Sequence, residues 1–517
     1  MHHTLRISEV LSHIFDYALL TPNDGRLRAL RSLALTCKAF EDPALTILWR
    51  NMVSLVPLVK CLPEELWEIE IDNNGNSILY TKGSPNASDV RRLQKYARLI
   101  RHLHLGSEDT SSRVRLDAGV LKALPFQTGQ ILPSLLTLAL TESDDQELES
   151  LHLLIGEKLT TFVLEFAAER CDEEAGGELL RALGNISKSL EDLEISAGPQ
   201  TSSSLSIALS NAVCNLSHIH RYSSPCISLG SDAFAHLSSM PDLRVLEVAP
   251  LTGGFESPLP PFPFPALREL TIWTKRLPKS TEMMGYLHPI HLETLIIHAE
   301  ETPSSFDVAE FFTNLRQHCS WTSLKRFYGF QDEFQDDSTD DNVQTLDSLR
   351  PLLSFHNLEY VWMNGCMSFE NANDAFVREM AEAWPRLREL DFGSTSCWGL
   401  PSRVTLDGLL AFCECCPGLR VLGITFDASS DVSPLSSRDE WATPPRSTRM
   451  KSLQVGHSRI RVDQVGAVAA FLQQVFPELS ELTCWEEHDG PGWSATRSAW
   501  LRVASLAVSN TDFDDEE

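Results

Sequence analysis

The sequence lacks the features of membrane proteins and of secreted, disulfide-rich proteins. No apolar run approaches the roughly 18 residues that a membrane-spanning helix needs. The start, MHHTLRISEV, lacks the basic and then apolar layout of a secretory signal. The 12 cysteines are scattered through 517 residues, which suits a reducing compartment better than a disulfide scaffold. We therefore expect a cytoplasmic or nuclear protein, and the sequence does not separate the two.

Basic residues are also scarce. Lysine and arginine number 43 against 71 aspartates and glutamates, so the net charge is −28. An acidic surface repels the phosphate backbone of nucleic acids and the anionic face of a membrane. We expect neither nucleic acid nor membrane among the partners.

Signatures of catalysis are missing as well. The chain contains no GxxxxGK[ST], GxGxxG, HExxH or GxSxG motif. Cys413 and Cys416 form a CxxC pair, but no second pair lies nearby to complete a zinc site, and their place at the end of a predicted helix favours packing. We expect a non-enzymatic protein with no catalytic residues, no metal site and no cofactor.

The sequence does contain a recurring motif, leucine-x-x-leucine-x-apolar, as in PALRELTI (265–272) and PRLRELDF (385–392). It returns about every 29 residues, a spacing within the range of leucine-rich repeats, which the pattern resembles in a degenerate form. The first apolar residue of each copy, here called the anchor, is Ile100, Leu135, Leu159, Leu190, Leu216, Leu243, Leu267, Leu292, Leu324, Leu358, Leu387, Leu419, Met450 or Leu479.

A helical pattern precedes the motif in several copies. In 374–384, apolar residues recur at helical spacing, and Pro385 then ends the helix because the residue before a proline is disfavoured in the α region. Leu390 and Phe392 alternate as a short strand. Helix and strand in strict alternation predict a parallel sheet. The fold class is therefore α/β: a solenoid with a curved parallel sheet and helices on its convex face.

The first fifty residues differ from the rest. They predict three short helices, at 5–20, 26–40 and 41–52, with Pro43 tolerated in the first turn of the third. We expect Leu27, Leu30 and Leu33 to face inward on the second helix. So short a segment cannot close a sizeable core alone, and it needs a neighbour or a partner.

This segment resembles an F-box, the module by which receptor subunits of cullin–RING ubiquitin ligases dock to their adaptor. The match covers residues 4–52, a three-helix all-α head, and includes Ile7-x-Glu9-Val10-Leu11, Ile14-Phe15, Cys37-Lys38-x-Phe40 and Pro43-Ala44-Leu45 to Leu48-Trp49-Arg50. The family usually has Leu-Pro ahead of the acidic residue, where this chain has Arg6-Ile7-Ser8. A helical cap that shields the first repeat is the alternative interpretation.

The chain divides in sequence into four parts. The head (4–52) precedes a linker or first irregular repeat (53–98), the degenerate leucine-rich-repeat solenoid (99–490), and a C-terminal cap with an acidic tail (491–517). Loop insertions interrupt the solenoid at 251–265, 331–345 and 428–448.

The resemblance implies a substrate-recognition subunit of an SCF-type ubiquitin ligase, whose head binds a Skp-type adaptor and cullin scaffold and whose repeats capture an unidentified target protein. The other hypothesis is a leucine-rich-repeat interaction scaffold with no ligase association. Candidate adaptor-binding residues are Leu5, Ile7, Leu11, Phe15, Leu33 and Trp49. The alternative for each is that it packs in the core of the head and does not contact the adaptor.

The target site is expected on the concave face of the sheet. In each predicted strand, the residues between the inward leucines point to the opposite face. Aromatic side chains there anchor interfaces, and carboxylates favour a basic target segment. The candidates are Trp273, His298, Tyr360, Trp362, Glu389, Asp391 and Trp485, with Glu165 and Glu194 earlier in the chain. The alternative is that some of these rings pack against neighbouring strands or loops.

Overall fold

The computed structural model divides into two compact units, Met1–Pro258 and Leu259–Glu517. It describes residues 8–18, 25–72, 75, 77–83, 85–106, 114–126, 131–143, 148, 150–166, 173–198, 203–251, 259–287, 290–330, 346–363, 372–392, 402–432, 445–484 and 493–508. The proposed insertion at 331–345, much of those at 251–265 and 428–448, and the acidic tail lie outside these residues.

Three helices form the head of the first unit: Ser8–Ala18, Gly25–Ala34 and Lys38–Arg50. The third helix packs against both of the others. Their small common core holds Leu11, Phe15, Leu30, Ala44 and Ile47, with Leu33, Ala34, Phe40 and Leu48 partly buried around it.

The head joins the sheet without an intervening linker. The helix Lys38–Arg50 leads directly into strand β1, Asn51–Met52, which pairs in parallel with β4, His102–Leu105. Trp49 stacks on Tyr96 with ring centroids 4.9 Å apart. Tyr96 belongs to the helix Ala87–Ala97, and Lys95 of that helix pairs with Glu41 of the head at 3.3 Å. Two side-chain contacts and one strand pairing therefore fix the head to its neighbour.

The first unit also contains a small second sheet, separate from its main sheet. Strand β2, Trp67–Ile71, is antiparallel to β3, Ser77–Thr81, and β3 is parallel to β5, Arg115–Leu116. The sequence assigned 53–98 only to a linker or irregular repeat, and the structure places this antiparallel pair within it. The accompanying short helices are Val56–Val59, Glu64–Leu66 (3-10) and Ala118–Ala123.

The main sheet of the first unit is parallel, and its strands follow one another in chain order after β1 and β4. The further strands are β6 Thr137–Ser143, β7 Thr161–Phe166, β8 Asp192–Ser196, β9 Arg221–Ser224 and β10 Val245–Val248. The helices between them are Leu151–Leu154 (3-10), Glu173–Ile186, Ser203–Val213 and Ser231–Ser238.

The second unit repeats this arrangement with parallel strands in chain order. They are β11 Glu269–Thr274, β12 Thr294–Ala299, β13 Arg326–Gly329, β14 Tyr360–Met363, β15 Glu389–Phe392, β16 Val421–Gly423, β18 Ser452–Gln454 and β20 Glu481–Thr483. Two short strands, β17 Asp427–Ala428 and β19 Arg459–Ile460, form a separate parallel pair. The helices are Leu277–Gly285, Ser305–His318, Leu346–Leu349, Arg350–Ser354 (3-10), Asp374–Ala383, Leu406–Cys415, Val462–Gln464 (3-10), Val465–Val475 and Trp493–Ala507.

The repeated motif marks where the strands of the main sheet begin. Thirteen of the fourteen anchors lie two residues before the first residue of a main-sheet strand, and every anchor is buried. The exception is Leu216, where strand β9 begins only at Arg221 and Ile219 takes the anchor position. The register assigned to Leu216 is therefore wrong, whereas that of Leu324 agrees with β13. The predicted α/β fold with a large parallel sheet is confirmed.

One expectation for the head is also wrong. Leu27 was expected to face inward, yet 63% of it is exposed, while Leu30 on the same helix is buried. Leu27 lies in the first turn of the helix Gly25–Ala34, one turn before Leu30, and it is not among the residues packed in or around the core of the head.

No helix in the described part of the chain is both long enough and apolar enough to cross a bilayer.

Candidate functional site: the open face of the second unit

The strands of the second unit separate two sets of side chains. Residues such as Leu270, Ile297, Val361 and Leu390 are fully buried in the core. Their neighbours along each strand point to the other side of the sheet, which we call the open face. Because the strands are parallel and in register, open-face residues of successive strands form rows across the sheet.

The first aromatic contact on the open face joins Trp273 and His298. The two residues are register partners on β11 and β12, and their rings stack at a centroid distance of 3.8 Å with an interplanar angle of 16°. Trp273 remains 38% exposed. The sequence predicted both residues for this face, and the structure brings them together.

Four further residues form a second cluster, on β13 and β14. Register pairs Arg326 with Tyr360 and Tyr328 with Trp362. The guanidinium of Arg326 lies over the Tyr360 ring, 5.4 Å from its centroid. Tyr328 and Trp362 meet edge to face, with centroids 5.9 Å apart and planes at 68°. All four side chains are half-buried or exposed. We call them, with Glu389 and Asp391, the aromatic ladder.

Two carboxylates lie beside this cluster on β15. Register places Glu389 next to Tyr360 and Asp391 next to Trp362. Glu389 is half-buried and Asp391 is buried, 4% exposed. Burial raises the pKa of Tyr328, and the negative charge of Glu389 raises it further, while Arg326 lowers it. The tyrosine is therefore neutral at physiological pH and presents an uncharged aromatic surface next to charged groups.

The adjacent row of charges is already paired. Glu293 accepts from Lys325 at 2.7 Å, and Arg388 lies 2.9 Å from Glu359. The Lys325 hydrogen bond is the largest cause of the lowered pKa of Glu293. Glu389, in contrast, has no ion-pair partner among the described residues, so its charge is available to another molecule.

The earlier acidic candidates lie on the corresponding face of the first unit. Glu165 on β7 and Glu194 on β8 are both exposed, and Glu194 is in register with Ser223. The Ser223 hydroxyl donates to Glu247 at 2.8 Å. Within the described strands this face has no aromatic cluster like the one in the second unit.

The candidate adaptor-binding residues of the head are mainly internal. Leu11 and Phe15 are buried, 1% and 4% exposed, and Leu33 packs partly buried against them. Phe15 also meets Phe40 edge to face at 5.5 Å. Trp49 is half-buried and is used in the stack on Tyr96. Leu5 and Ile7, together with Trp485 of the target set, lie outside the described residues.

Sequence reasoning missed the apolar side chains that the head does expose. Ile14 is 45%, Tyr17 76%, Leu27 63% and Leu35 78% exposed. It also missed Arg326 and Tyr328, although the repeat contained the signal. They stand two and four residues after the anchor Leu324, as Tyr360 and Trp362 stand after Leu358.

The CxxC cysteines are packing residues in the structure. Cys416 is buried, and its Sγ lies 3.4 Å from the carbonyl oxygens of both Ala381 and Trp384. Burial raises the pKa of Cys413 and of Cys416 to about 12. Thiols that stay protonated are poor metal ligands and poor nucleophiles. Among the described residues, no group of histidine, cysteine or carboxylate side chains is arranged to hold a metal ion.

A scan against models of protein families finds no match for this chain, and a search of curated proteins finds none either.

Proposed function

We propose that this protein is a target-recognition subunit of a cullin–RING ubiquitin ligase. In this proposal the three-helix head is an F-box that docks to a Skp-type adaptor, the parallel strands and helices of each unit are leucine-rich repeats, and the open face captures the target. The contribution to catalysis is proximity, because holding a target lysine near the charged conjugating enzyme raises its effective concentration.

The observation that carries the proposal is the apolar surface of the head. The helix Ser8–Ala18 exposes Ile14 and Tyr17, and Leu27 and Leu35 are exposed at the two ends of the second-helix segment. Apolar side chains exposed on a small domain are available for contacts with a partner, and we interpret these four residues in that way. The buried Leu11 and Phe15 maintain the helices that present this surface, and the exposed residues supply the contacts.

The junction with the sheet supports a receptor role. The head is fixed by the β1–β4 pairing, by the Trp49–Tyr96 stack and by the Lys95–Glu41 ion pair. Asp16 and Arg50 join the first and third helices by two contacts of 3.1 and 3.4 Å. An adaptor bound to the head would then hold the first unit in a defined orientation instead of at the end of a flexible tether.

The test is co-purification of the full-length chain with a Skp-type adaptor and a cullin. Leu27→Glu combined with Leu35→Glu should reduce the co-purified adaptor at least tenfold, because two carboxylates would be desolvated in an apolar interface. Both positions are exposed, so thermal unfolding should change little.

Ile207→Glu is the matched control. Ile207 is 61% exposed on a helix of the first unit outside the head, and the change should leave adaptor recovery unaltered. If no adaptor or cullin co-purifies with the unaltered chain, the proposal fails, and the head is a helical cap on a repeat scaffold.

A further inference from the structure

We propose that the aromatic ladder binds an arginine side chain of the target protein. The inference rests on the proposed function in taking the open face as the target-binding surface, and it adds the chemistry of the group that is recognised. Three observations support it: the arrangement of the rings, the available carboxylate, and a guanidinium that already occupies one ring face.

The rings form two walls of a cation site. Tyr328 and Trp362 lie at 68° to each other with centroids 5.9 Å apart, so each presents its surface at a different angle. A cation attracted to the faces of tryptophan and tyrosine gains most where the contact is partly desolvated. Both side chains are partly buried, and neither ring has to be moved out of the protein core to be reached.

The carboxylates complete the site. Glu389 and Asp391 lie on the next strand, in register with Tyr360 and Trp362. The neighbouring Glu293 and Glu359 are neutralised by Lys325 and Arg388, whereas Glu389 has no ion-pair partner among the described residues. A bound cation would therefore meet the negative charge of Glu389 beside an aromatic surface, and this combination favours a cation over a neutral side chain.

The protein itself shows which cation the surface accepts. Arg326 lies over the ring of Tyr360 at 5.4 Å, and Tyr360 is in register with Glu389 on the next strand. The planar guanidinium can stack on a ring and donate two parallel hydrogen bonds to a carboxylate, whereas the compact ammonium of lysine cannot. We therefore assign arginine and not lysine as the recognised side chain.

Arg326 adds a positive charge, but the balance stays negative. From β11 to β16 the open face carries the carboxylates Glu269 and Glu389, which are not buried, against the single guanidinium of Arg326. The whole chain, with a net charge of −28, adds long-range attraction for a basic segment.

The experiment uses a fluorescein-labelled nonapeptide of glycine and serine that contains two arginines, and it measures fluorescence anisotropy with the full-length chain at 150 mM salt. A second peptide carries citrulline at the two positions, which keeps the shape of arginine and removes the charge. A third carries lysine. We expect the citrulline peptide to bind at least tenfold more weakly and the lysine peptide about threefold more weakly than the arginine peptide.

Two variants locate the site. Glu389→Gln should weaken the arginine peptide about fivefold, and Trp362→Phe about threefold, because phenylalanine keeps an aromatic surface of lower attraction for cations. The matched control is Glu481→Gln, an exposed carboxylate of the same row on β20, with no ring beside it in that row. Binding to this control should equal that of the unaltered chain.

Equal binding of the arginine and citrulline peptides would overturn the inference. So would equal losses in Glu389→Gln and Glu481→Gln, which would indicate general attraction to an acidic surface. The proposed ligase role is tested separately by adaptor co-purification. An adaptor complex without arginine-peptide binding rejects only the inference, and peptide binding without an adaptor rejects only the ligase role.

Discussion

At the scale of single residues, the open face was largely predictable and the head was not. Strand alternation correctly directs Trp273, Tyr360 and Trp362 away from the buried leucines, because a period of two holds in every short strand. No such rule identifies which apolar residues of a small helical head stay exposed outside its core. Leu27 and Leu30 look alike in sequence, yet Leu30 is packed in the core of the head and Leu27 is exposed.

The buried thiol of Cys416 predicts an alkaline limit to stability. Its pKa is raised from 9.0 to about 12 by burial, so above pH 9 the unfolded chain loses this proton while the folded chain keeps it. Folding stability from this group is therefore complete below pH 9 and is lost as the pH rises toward 12, by up to about 1.4 kcal/mol per pH unit.

Chemical denaturation of the unaltered chain and of Cys416→Ala at several pH values above 8 measures this effect. The alanine variant lacks the ionising group, so its unfolding free energy should fall less steeply with pH than that of the unaltered chain. Parallel pH profiles would show that the thiol ionises equally in the folded and unfolded states, and that its surroundings are not those described above.

At the scale of elements, the repeated motif predicted the strands because its anchor is a buried residue that precedes the strand by a constant number of residues. The one failure has a local reason. Around β9 the sequence offers Leu216 and Ile219 as anchors, both are buried, and only the later one precedes the strand by two residues. Strands β1, β2 and β3 lack the motif, so the repeat pattern did not predict them.

Adjacent repeats of the second unit are also joined by a specific polar contact. Asp374, in the first turn of one helix, accepts hydrogen bonds from the backbone N–H and the hydroxyl of Thr405, both at 2.7 Å. Thr405 is the N-cap of the next helix, Leu406–Cys415. One carboxylate thus stabilises the start of the helix in the following repeat.

Asp374→Ala should lower the unfolding free energy by about 1.5–3 kcal/mol, the usual worth of hydrogen bonds to a charged group. Asp374→Asn keeps one acceptor oxygen and should cost less. Urea denaturation followed by circular dichroism measures both. Asp242→Ala, at an exposed aspartate of the first unit, is the control and should stay within about 0.5 kcal/mol of the unaltered chain. An equal loss in that control would refute the contact's role.

At the scale of the whole molecule, composition restricted the kinds of partner but could not name one. A net charge of −28 favours basic partners, and the repeat pattern favours a binding surface over an active site. The position of that surface depended on register, since Trp362 and Asp391 become neighbours only when β14 and β15 pair. Residues so far apart in sequence carry no local signal of their proximity.

The two-residue strand β1 has a consequence for aggregation. It is the first strand of the sheet in the first unit, and it covers one side of β4 while offering only Asn51 and Met52 to any further chain. Short terminal strands are a common protection against pairing between molecules. Deleting residues 1–52 would expose the four-residue β4, His102–Leu105, as a bare edge.

We therefore expect the truncated chain to self-associate, eluting from a size-exclusion column earlier than its mass predicts and more so at higher concentration. A monomeric truncation product would show that β1 gives no such protection. Self-association would mean that the head protects the sheet from other copies of the same chain, and we would then expect aggregation from any mutation that unfolds the head.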